Sequence, residues 1–305
     1  MFSMMQMIKK IKVWQVLKTA ALNLMRNDPL RIAAATAFFG TFAVPAILVV
    51  ILQIFGVFLN RKKFGSNIIS KLSDMVGHNS AEEIRRILIN LLNLANSWLF
   101  AILMFIFLLF VSTTLFIIIR NSINQLWCIK LNSGSGFYFN LKQRVKALGI
   151  ISSGGVLLFI AFVFEGLRLF LENKLQYNIP LLNGFVNELV FFVTTTLWFC
   201  IAFKFTGNGR PKWRSVILAA VSTGVLLTIG KLIMRSLLLG SNIDQIYGTS
   251  GAILLVMLFI FYSSFIFYFG VSLVDALSEN FEEPIETGSH AHKFKTEPVE
   301  VTAGF

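Results

Sequence analysis

The chain has 305 residues, of which 56% are hydrophobic and only 14% are charged, and its mean hydropathy is +0.74. Soluble globular proteins contain about 45–50% apolar and about 25% charged residues. Because the charges also leave long apolar tracts uninterrupted, the composition excludes soluble globular, disordered and collagen-like chains and predicts a polytopic membrane protein. The two cysteines, Cys128 and Cys200, form no CxxC motif and are too few for a disulfide framework.

Residues 1–30 predict an amphipathic helix on the cytoplasmic side. Apolar side chains recur on one helical face: Met7, Ile11, Trp14, Leu17, Ala21 and Met25. Two interpretations fit this pattern. The helix lies in the membrane interface, held by anionic lipid headgroups, or it packs against the helical bundle. No cleavable signal peptide is predicted, because no uninterrupted apolar segment precedes residue 32.

Six segments are apolar enough for spanning helices, which need about 20 residues each. They lie at about 32–59, 93–119, 147–168, 185–203, 215–235 and 247–274. The fourth contains Glu188, and an acid at mid-bilayer opposes insertion by about 2.5–3.5 kcal/mol. Its eleven Leu, Ile, Phe or Val residues each favour insertion by about 0.3–0.6 kcal/mol, so the segment is retained. The predicted fold class is all-α, with a six-helix transmembrane domain over residues 31–275.

Two segments outside the predicted spans also carry a signal. In the first outer loop, Ser80 and Glu83 form an S-x-x-E capping box, which predicts the start of a surface helix. Residues 276–305 are acidic and have no periodic apolar pattern, which predicts a disordered cytoplasmic tail.

The distribution of lysine and arginine predicts that both termini are cytoplasmic. Before the C-terminal tail, the segments on one side of the membrane carry 15 cationic residues against one acid, whereas the loops on the other side carry 10 against seven acids. Cytoplasmic loops are enriched in cations, so the first side is assigned to the cytoplasm. The net charge of +12 is explained by these loops and does not indicate nucleic-acid binding.

No pattern typical of an enzyme is found. The three histidines, His78, His290 and His292, lie outside the predicted spans, so no Ser-His-acid or Cys-His arrangement is indicated within the membrane. No zinc-ligand spacing, phosphate-binding loop or dinucleotide-binding motif is present. We therefore expect a protein without catalytic residues, metal or cofactor.

Polar residues within the apolar segments are the candidate functional residues. An ionisable side chain at membrane depth usually faces a bundle interior or a water-filled cavity. The predicted polar cavity is formed by Glu188, Glu165, Arg168, Lys231, Arg235 and Gln53. Glu188 and Lys231 are expected to pair between helices, and Glu165 and Arg168 on one helix. The alternative is that the pairs are structural and that Lys231 and Arg235 extend to the outer interface.

Four segments in the same order resemble the YihY/BrkB family of bacterial inner-membrane proteins. They are RIAAATAFFGTFAVPAIL (31–48), NSINQLWCIK (121–130), RPKWRSVILAAVSTGVLL (210–227) and YGTSGAILLVMLFIFYSSFIFYFG (247–270). The residues that match family positions are Asn124, Trp127, Trp213, Tyr247, Gly248, Gly251 and Gly270. The chain departs from the family at Gly207, Phe259, Ser272 and Val274, where a proline, a tryptophan, an acid and an asparagine are usual.

This resemblance implies a six-span protein of the bacterial inner membrane with both termini inside. The family once carried a ribonuclease name that is now considered mistaken, and its members have been linked to lipid handling and to ion exchange. The first functional hypothesis is a transporter or flippase-like protein for a lipid or another amphiphile. The alternatives are a non-transporting scaffold or assembly factor, which forms a homo-oligomer or binds an envelope partner protein, and a cation/proton exchanger that uses Glu188.

Overall fold

The computed structural model describes residues 13–55, 78–94, 98–131, 180–239, 250–288 and 291–294, with short stretches at 65–66, 69–70, 73, 149–150, 153–154, 156–157 and 160–161. The helices of these residues are α1 (Val13–Arg26), α2 (Pro29–Phe55), α3 (His78–Leu94), α4 (Trp98–Leu126), α5 (Pro180–Phe205), α6 (Trp213–Leu239) and α7 (Ser250–Asn280). Four short strands accompany them: β1 (Ile129–Leu131), β2 (Gly209–Arg210), β3 (Glu286–Thr287) and β4 (Ala291–Lys293). The predominantly helical fold is confirmed, whereas the strands were not predicted.

Five of the six predicted spans coincide with long helices, namely α2, α4, α5, α6 and α7. The third, 147–168, falls mostly outside the described residues. Among the side chains that are described, three segments are long and apolar enough to cross a membrane: Val186–Phe205, Trp213–Ile233 and Ile253–Asn280. The total of six spans and their orientation stay predictions.

Helix α7 is the centre of the bundle and packs against α1, α2 and α6, while α5 packs on α6 and α2 on α4. Its inner side is closely packed, since Tyr268, Val271 and Val274 are fully buried. The opposite faces of the outer helices are apolar and exposed. On α6, for example, Ile217, Val221, Val225 and Ile229 recur every four residues along one exposed stripe. Such a stripe suits contact with lipid chains.

Helix α1 has two apolar faces, and the bundle covers one of them. Val16, Ala20 and Leu24 are buried in the core that α1 shares with α7. The face singled out from the sequence is different: Trp14 and Met25 on it are 78% and 62% exposed. The helix therefore packs against the bundle, which is the second of the two interpretations of the sequence. Its other apolar face is exposed on the surface.

The surface helix after the first span is present, but it begins earlier than its predicted cap. Because α3 begins at His78, Ser80 lies inside the helix instead of preceding it. Glu83 lies 3.2 Å from Arg86, and Glu82 lies 2.6 Å from Arg85. Both pairs join successive turns on the exposed side of the helix, so Glu83 pairs with Arg86 in the described structure.

The prediction of a disordered tail is wrong for residues 276–288 and 291–294. Residues 276–280 continue α7, and residues 281–288 and 291–294 form an ordered segment that we call the C-terminal clasp. The rest of the predicted tail lies outside the described residues. Strand β3 pairs with β2, and β4 pairs with β1, both antiparallel. Ile285 is 4% exposed, and the clasp also forms ion pairs through Glu283 with Lys212 and through Lys293 with Asp275. Hydrogen bonds and burial thus order a segment that carries no periodic apolar pattern. The strands are too short for such a pattern.

Replacing Ile285 with aspartate is expected to release the clasp, because the side chain lies in a buried site beside Gly209 and Ile129. In detergent solution, trypsin should then cleave at Lys293 faster than in the wild type. Phe294→Asp introduces the same charge at a position that is 38% exposed and serves as the control. Equal cleavage rates for Ile285→Asp and the wild type would show that Ile285 does not hold the clasp.

Candidate functional site

Two of the residues predicted for the polar cavity, Glu188 on α5 and Lys231 on α6, form an ion pair. The Lys231 ammonium donates to both carboxylate oxygens of Glu188, at 2.8 Å and 2.6 Å. The side chain of Lys231 is 10% exposed and that of Glu188 is 40% exposed. The pairing prediction is confirmed, and Lys231 does not extend alone to the interface.

An aromatic ring completes the surroundings of the ammonium. The Lys231 Nζ atom lies 4.2 Å from the centre of the Phe191 ring. A cation over an aromatic face is attracted by the ring quadrupole, most strongly where water is scarce. The ammonium is thus compensated by a carboxylate and by a ring from the same neighbouring helix. This explains how a nearly buried cation is tolerated in an apolar helix.

The position of the pair along the helices can be measured from the other end of the α5–α6 hairpin. At 1.5 Å per residue, Lys231 lies about 27 Å from Trp213 at the start of α6, and Glu188 lies about 26 Å from Phe205 at the end of α5. Trp213 is half exposed and packs edge-on against Phe205, as aromatic residues at a membrane interface often do. A span that begins at Trp213 would therefore place the pair near the opposite boundary of a hydrocarbon layer about 30 Å thick.

The interface between α5 and α6 is filled at Gly224, about two helical turns from the pair. A Cβ atom at Gly224 would collide with Thr196 and would lie 3.2 Å from the Phe192 ring. The helices therefore meet in close contact there, without a hollow between them. Glu188 is open towards the surface of the hairpin, where its neighbours Leu189, Val193 and Leu232 are also exposed.

The other predicted cavity residues are not brought to this pair by the described structure. Glu165 and Arg168 lie outside the described residues. Gln53 lies on α2 and Arg235 on α6, and their side chains likewise fall outside the described part of the chain. The described site therefore consists of Glu188, Lys231 and the adjoining aromatic ring.

Three of the family-matching residues gather at the opposite end of the bundle. Trp127 is fully buried, and its indole N–H donates to the Val271 carbonyl oxygen at 3.0 Å. The side-chain oxygen of Asn124 accepts a hydrogen bond from the backbone N–H of Asn208 at 2.9 Å. Gly270 allows close approach, because a Cβ atom there would lie 2.6 Å from the Phe203 ring and would collide with Thr223.

The remaining family-matching residues have other positions. Trp213 is half exposed at the start of α6, and the Lys204 ammonium lies 5.2 Å from the centre of its ring. Gly251 lies in the first turn of α7. Tyr247 and Gly248 lie outside the described residues.

The structure also reveals polar contacts of α7 that the sequence analysis missed. The hydroxyls of Tyr268 and Thr36 on α2 lie 2.6 Å apart, and Ser122 on α4 is hydrogen-bonded to Tyr268 as well. Nearer the clasp, the Asp275 carboxylate accepts a hydrogen bond from the Asn23 amide of α1 at 3.2 Å. The sequence feature that could have indicated these contacts is the spacing of Ser264, Tyr268 and Asp275, which places the three polar residues along one side of α7.

The described side chains show no arrangement typical of metal or thiol chemistry. Among them, no group of three or more His, Cys, Asp or Glu residues could hold a metal ion. Burial raises the pKa of the Cys128 thiol, and the negative charge of Asp275 raises it further. The thiol is therefore protonated near neutral pH and is a poor nucleophile.

Comparison with known proteins agrees with the resemblance noted in the sequence. The sequence model of the family described as Virulence factor BrkB matches residues 20–295, from the middle of α1 through the C-terminal clasp. Neither a curated protein nor a solved structure matches the chain. Because the match covers well over half of the sequence, the chain belongs to the BrkB virulence factor family.

Proposed function

We propose that this protein is a non-enzymatic, multi-pass protein of the bacterial inner membrane that moves a lipid or another amphiphile between the leaflets. In this proposal six helices span the membrane and both termini are cytoplasmic. The observation that carries it is the Glu188–Lys231 pair, a charged group in an apolar hairpin that is open on its outer side. Ionisable residues at membrane depth are costly, so they usually mark a pathway or a binding site.

The surface around the pair supports a lipid over a small ion as the substrate. Exposed apolar side chains on α5 and α6 adjoin the half-exposed carboxylate, so a polar headgroup and its chains would find matching surfaces side by side. The filled contact at Gly224 makes a route along the outside of the hairpin more favourable than a route between α5 and α6. Exchange of a bare cation is disfavoured, because Lys231 already neutralises the Glu188 carboxylate and an added cation would leave the site with a net positive charge.

The exposed face of α1 supports a second part of the proposal, which is anchoring at the cytoplasmic membrane surface. Trp14, Leu22 and Met25 are exposed together with the cations Lys18 and Arg26, and the helix contains no acid. Apolar side chains combined with cations favour the surface of a bilayer that carries anionic lipids. In this arrangement α1 lies between the bundle and the headgroups.

Transport can be tested with purified protein in liposomes that contain a fluorescent phospholipid in both leaflets. Membrane-impermeant dithionite quenches only the outer label, so a transporter increases the rate at which the inner label is lost. We expect acceleration by the wild type and its loss in Glu188→Gln and in Lys231→Met. The matched control is the double variant Glu82→Gln, Arg85→Gln, which removes an ion pair on the surface helix α3 and should transport normally.

Two outcomes would contradict the proposal. If no labelled lipid crosses faster than in empty liposomes, the protein is not a lipid transporter, and a scaffold is favoured. If lipid crosses but both substitutions at the pair leave the rate unchanged, the pair is not part of the route. Loss of folding in a variant is recognised by size-exclusion chromatography, and the charge-exchanged variant Glu188→Lys, Lys231→Glu then provides the decisive measurement.

A further inference from the structure

We infer that the Glu188–Lys231 pair selects zwitterionic phospholipids, with the ligand's ammonium at Glu188 and its phosphate at Lys231. This inference rests on the proposed function and adds the substrate class. Three features of the site support it: its zero net charge, the remaining hydrogen-bonding positions of Glu188 and Lys231, and the place of the pair along the two helices.

The net charge of the site is zero, since one carboxylate lies 2.6 Å from one ammonium. A headgroup with only negative charge would approach Lys231 but would be repelled by Glu188. A headgroup with only positive charge would be attracted to Glu188 but repelled by Lys231. A zwitterion with opposite charges on neighbouring atoms can place each charge beside its complement, which makes mismatched ligands unfavourable.

Both partners have hydrogen-bonding groups available for such a ligand. A carboxylate offers about four acceptor positions on its two oxygens, and Lys231 occupies one position on each. The exposed part of Glu188 can therefore receive the ammonium of a headgroup. An ammonium has three N–H donors, of which Glu188 takes two in the described contacts, and a phosphate oxygen would reach the third through the exposed 10% of the Lys231 side chain.

The depth of the pair fits a headgroup. The position about 26–27 Å from the Phe205–Trp213 end of the hairpin is close to the boundary of a hydrocarbon layer about 30 Å thick. The exposed residues Leu189 and Leu232 lie at the level of the pair, and the exposed residues Val193 and Leu197 continue along α5 towards Phe205. A lipid whose headgroup is bound at the pair would thus lay its acyl chains along these side chains.

The inference can be tested by binding, independently of transport. Purified protein in detergent is titrated with phosphatidylethanolamine, with phosphatidylglycerol and with a cationic lipid that carries trimethylammonium, and the bound lipid is measured by native mass spectrometry. We expect the wild type to bind phosphatidylethanolamine at least about tenfold more tightly than either singly charged lipid, which corresponds to about 1.4 kcal/mol.

The variants should change the preference in opposite directions. Glu188→Gln leaves a positive site and should favour phosphatidylglycerol, whereas Lys231→Met leaves a negative site and should favour the cationic lipid. The charge-exchanged variant Glu188→Lys, Lys231→Glu should keep the preference for phosphatidylethanolamine. The α3 variant Glu82→Gln, Arg85→Gln should behave as the wild type.

Failure of this inference can be distinguished from failure of the proposed function. Equal binding of the three lipids by the wild type, or a preference that the pair variants retain, would overturn the inference even if lipid is transported. Selective binding that depends on the pair but is unaccompanied by transport would support the inference and contradict the transport proposal.

Discussion

Replacing Trp127 with alanine is expected to lower the free energy of unfolding by about 3–5 kcal/mol. The indole is fully buried and donates a hydrogen bond to the Val271 carbonyl oxygen. It also fills the space beside Gly207 and Gly209, where added Cβ atoms would lie 2.5 Å and 2.9 Å from the ring. Its removal therefore leaves a cavity and removes the hydrogen bond to the Val271 carbonyl. Thermal unfolding in detergent, followed by size-exclusion chromatography, measures the loss.

Trp213→Ala is the matched control for this prediction. Trp213 is also a family-matching tryptophan, but it is half exposed, so its removal creates no enclosed cavity. We expect a much smaller decrease in the unfolding temperature than for Trp127→Ala. Equal decreases for the two variants would mean that burial of the indole does not determine its contribution to stability.

Glu188→Gln is expected to destabilise the protein more than Lys231→Met does. The first substitution leaves a nearly buried ammonium without its carboxylate, with an expected cost of about 2–3 kcal/mol. The second leaves a carboxylate that is 40% exposed and can be hydrated, so its expected cost is about 1 kcal/mol. Unfolding midpoints of the purified variants in the same detergent provide the comparison.

The double variant Glu188→Gln, Lys231→Met should recover most of the lost stability, because no uncompensated charge remains. The α3 variant Glu82→Gln, Arg85→Gln is expected to show no measurable change, since that pair is on the surface. A larger loss for Lys231→Met than for Glu188→Gln would contradict the inferred difference in burial. Additive losses in the double variant would show that the two residues do not interact.

The long helices and one ion pair could be predicted from the sequence for a simple physical reason. Hydrocarbon does not hydrogen-bond the backbone, so an apolar segment of sufficient length must form a helix. A charge within such a segment requires a partner, and Glu188 and Lys231 on consecutive spans were the natural choice. Local composition was sufficient in both cases.

The polar contacts of α7 and the packing of α1 could not be predicted in the same way. The Asn23–Asp275 contact joins residues 252 positions apart, and the Thr36–Tyr268 contact joins residues 232 positions apart. The spacing of Tyr268 and Asp275 along one side of α7 indicates a shared polar face, but nothing in the local sequence identifies Asn23 and Thr36 as their partners. Likewise, α1 has apolar residues on two faces, and only the packing of α7 determines that Val16, Ala20 and Leu24 are buried.

The pairing of the C-terminal clasp has a consequence for biosynthesis. Its strands pair Ile129 with Lys293 and Gly209 with Thr287. Strands β1 and β2 can therefore pair only after a much later part of the chain has been synthesised. Until that part leaves the ribosome, the edges of β1 and β2 have unpaired backbone groups, which are prone to wrong association. A nascent chain stalled before residue 285 would therefore expose the unpaired edges of β1 and β2 together.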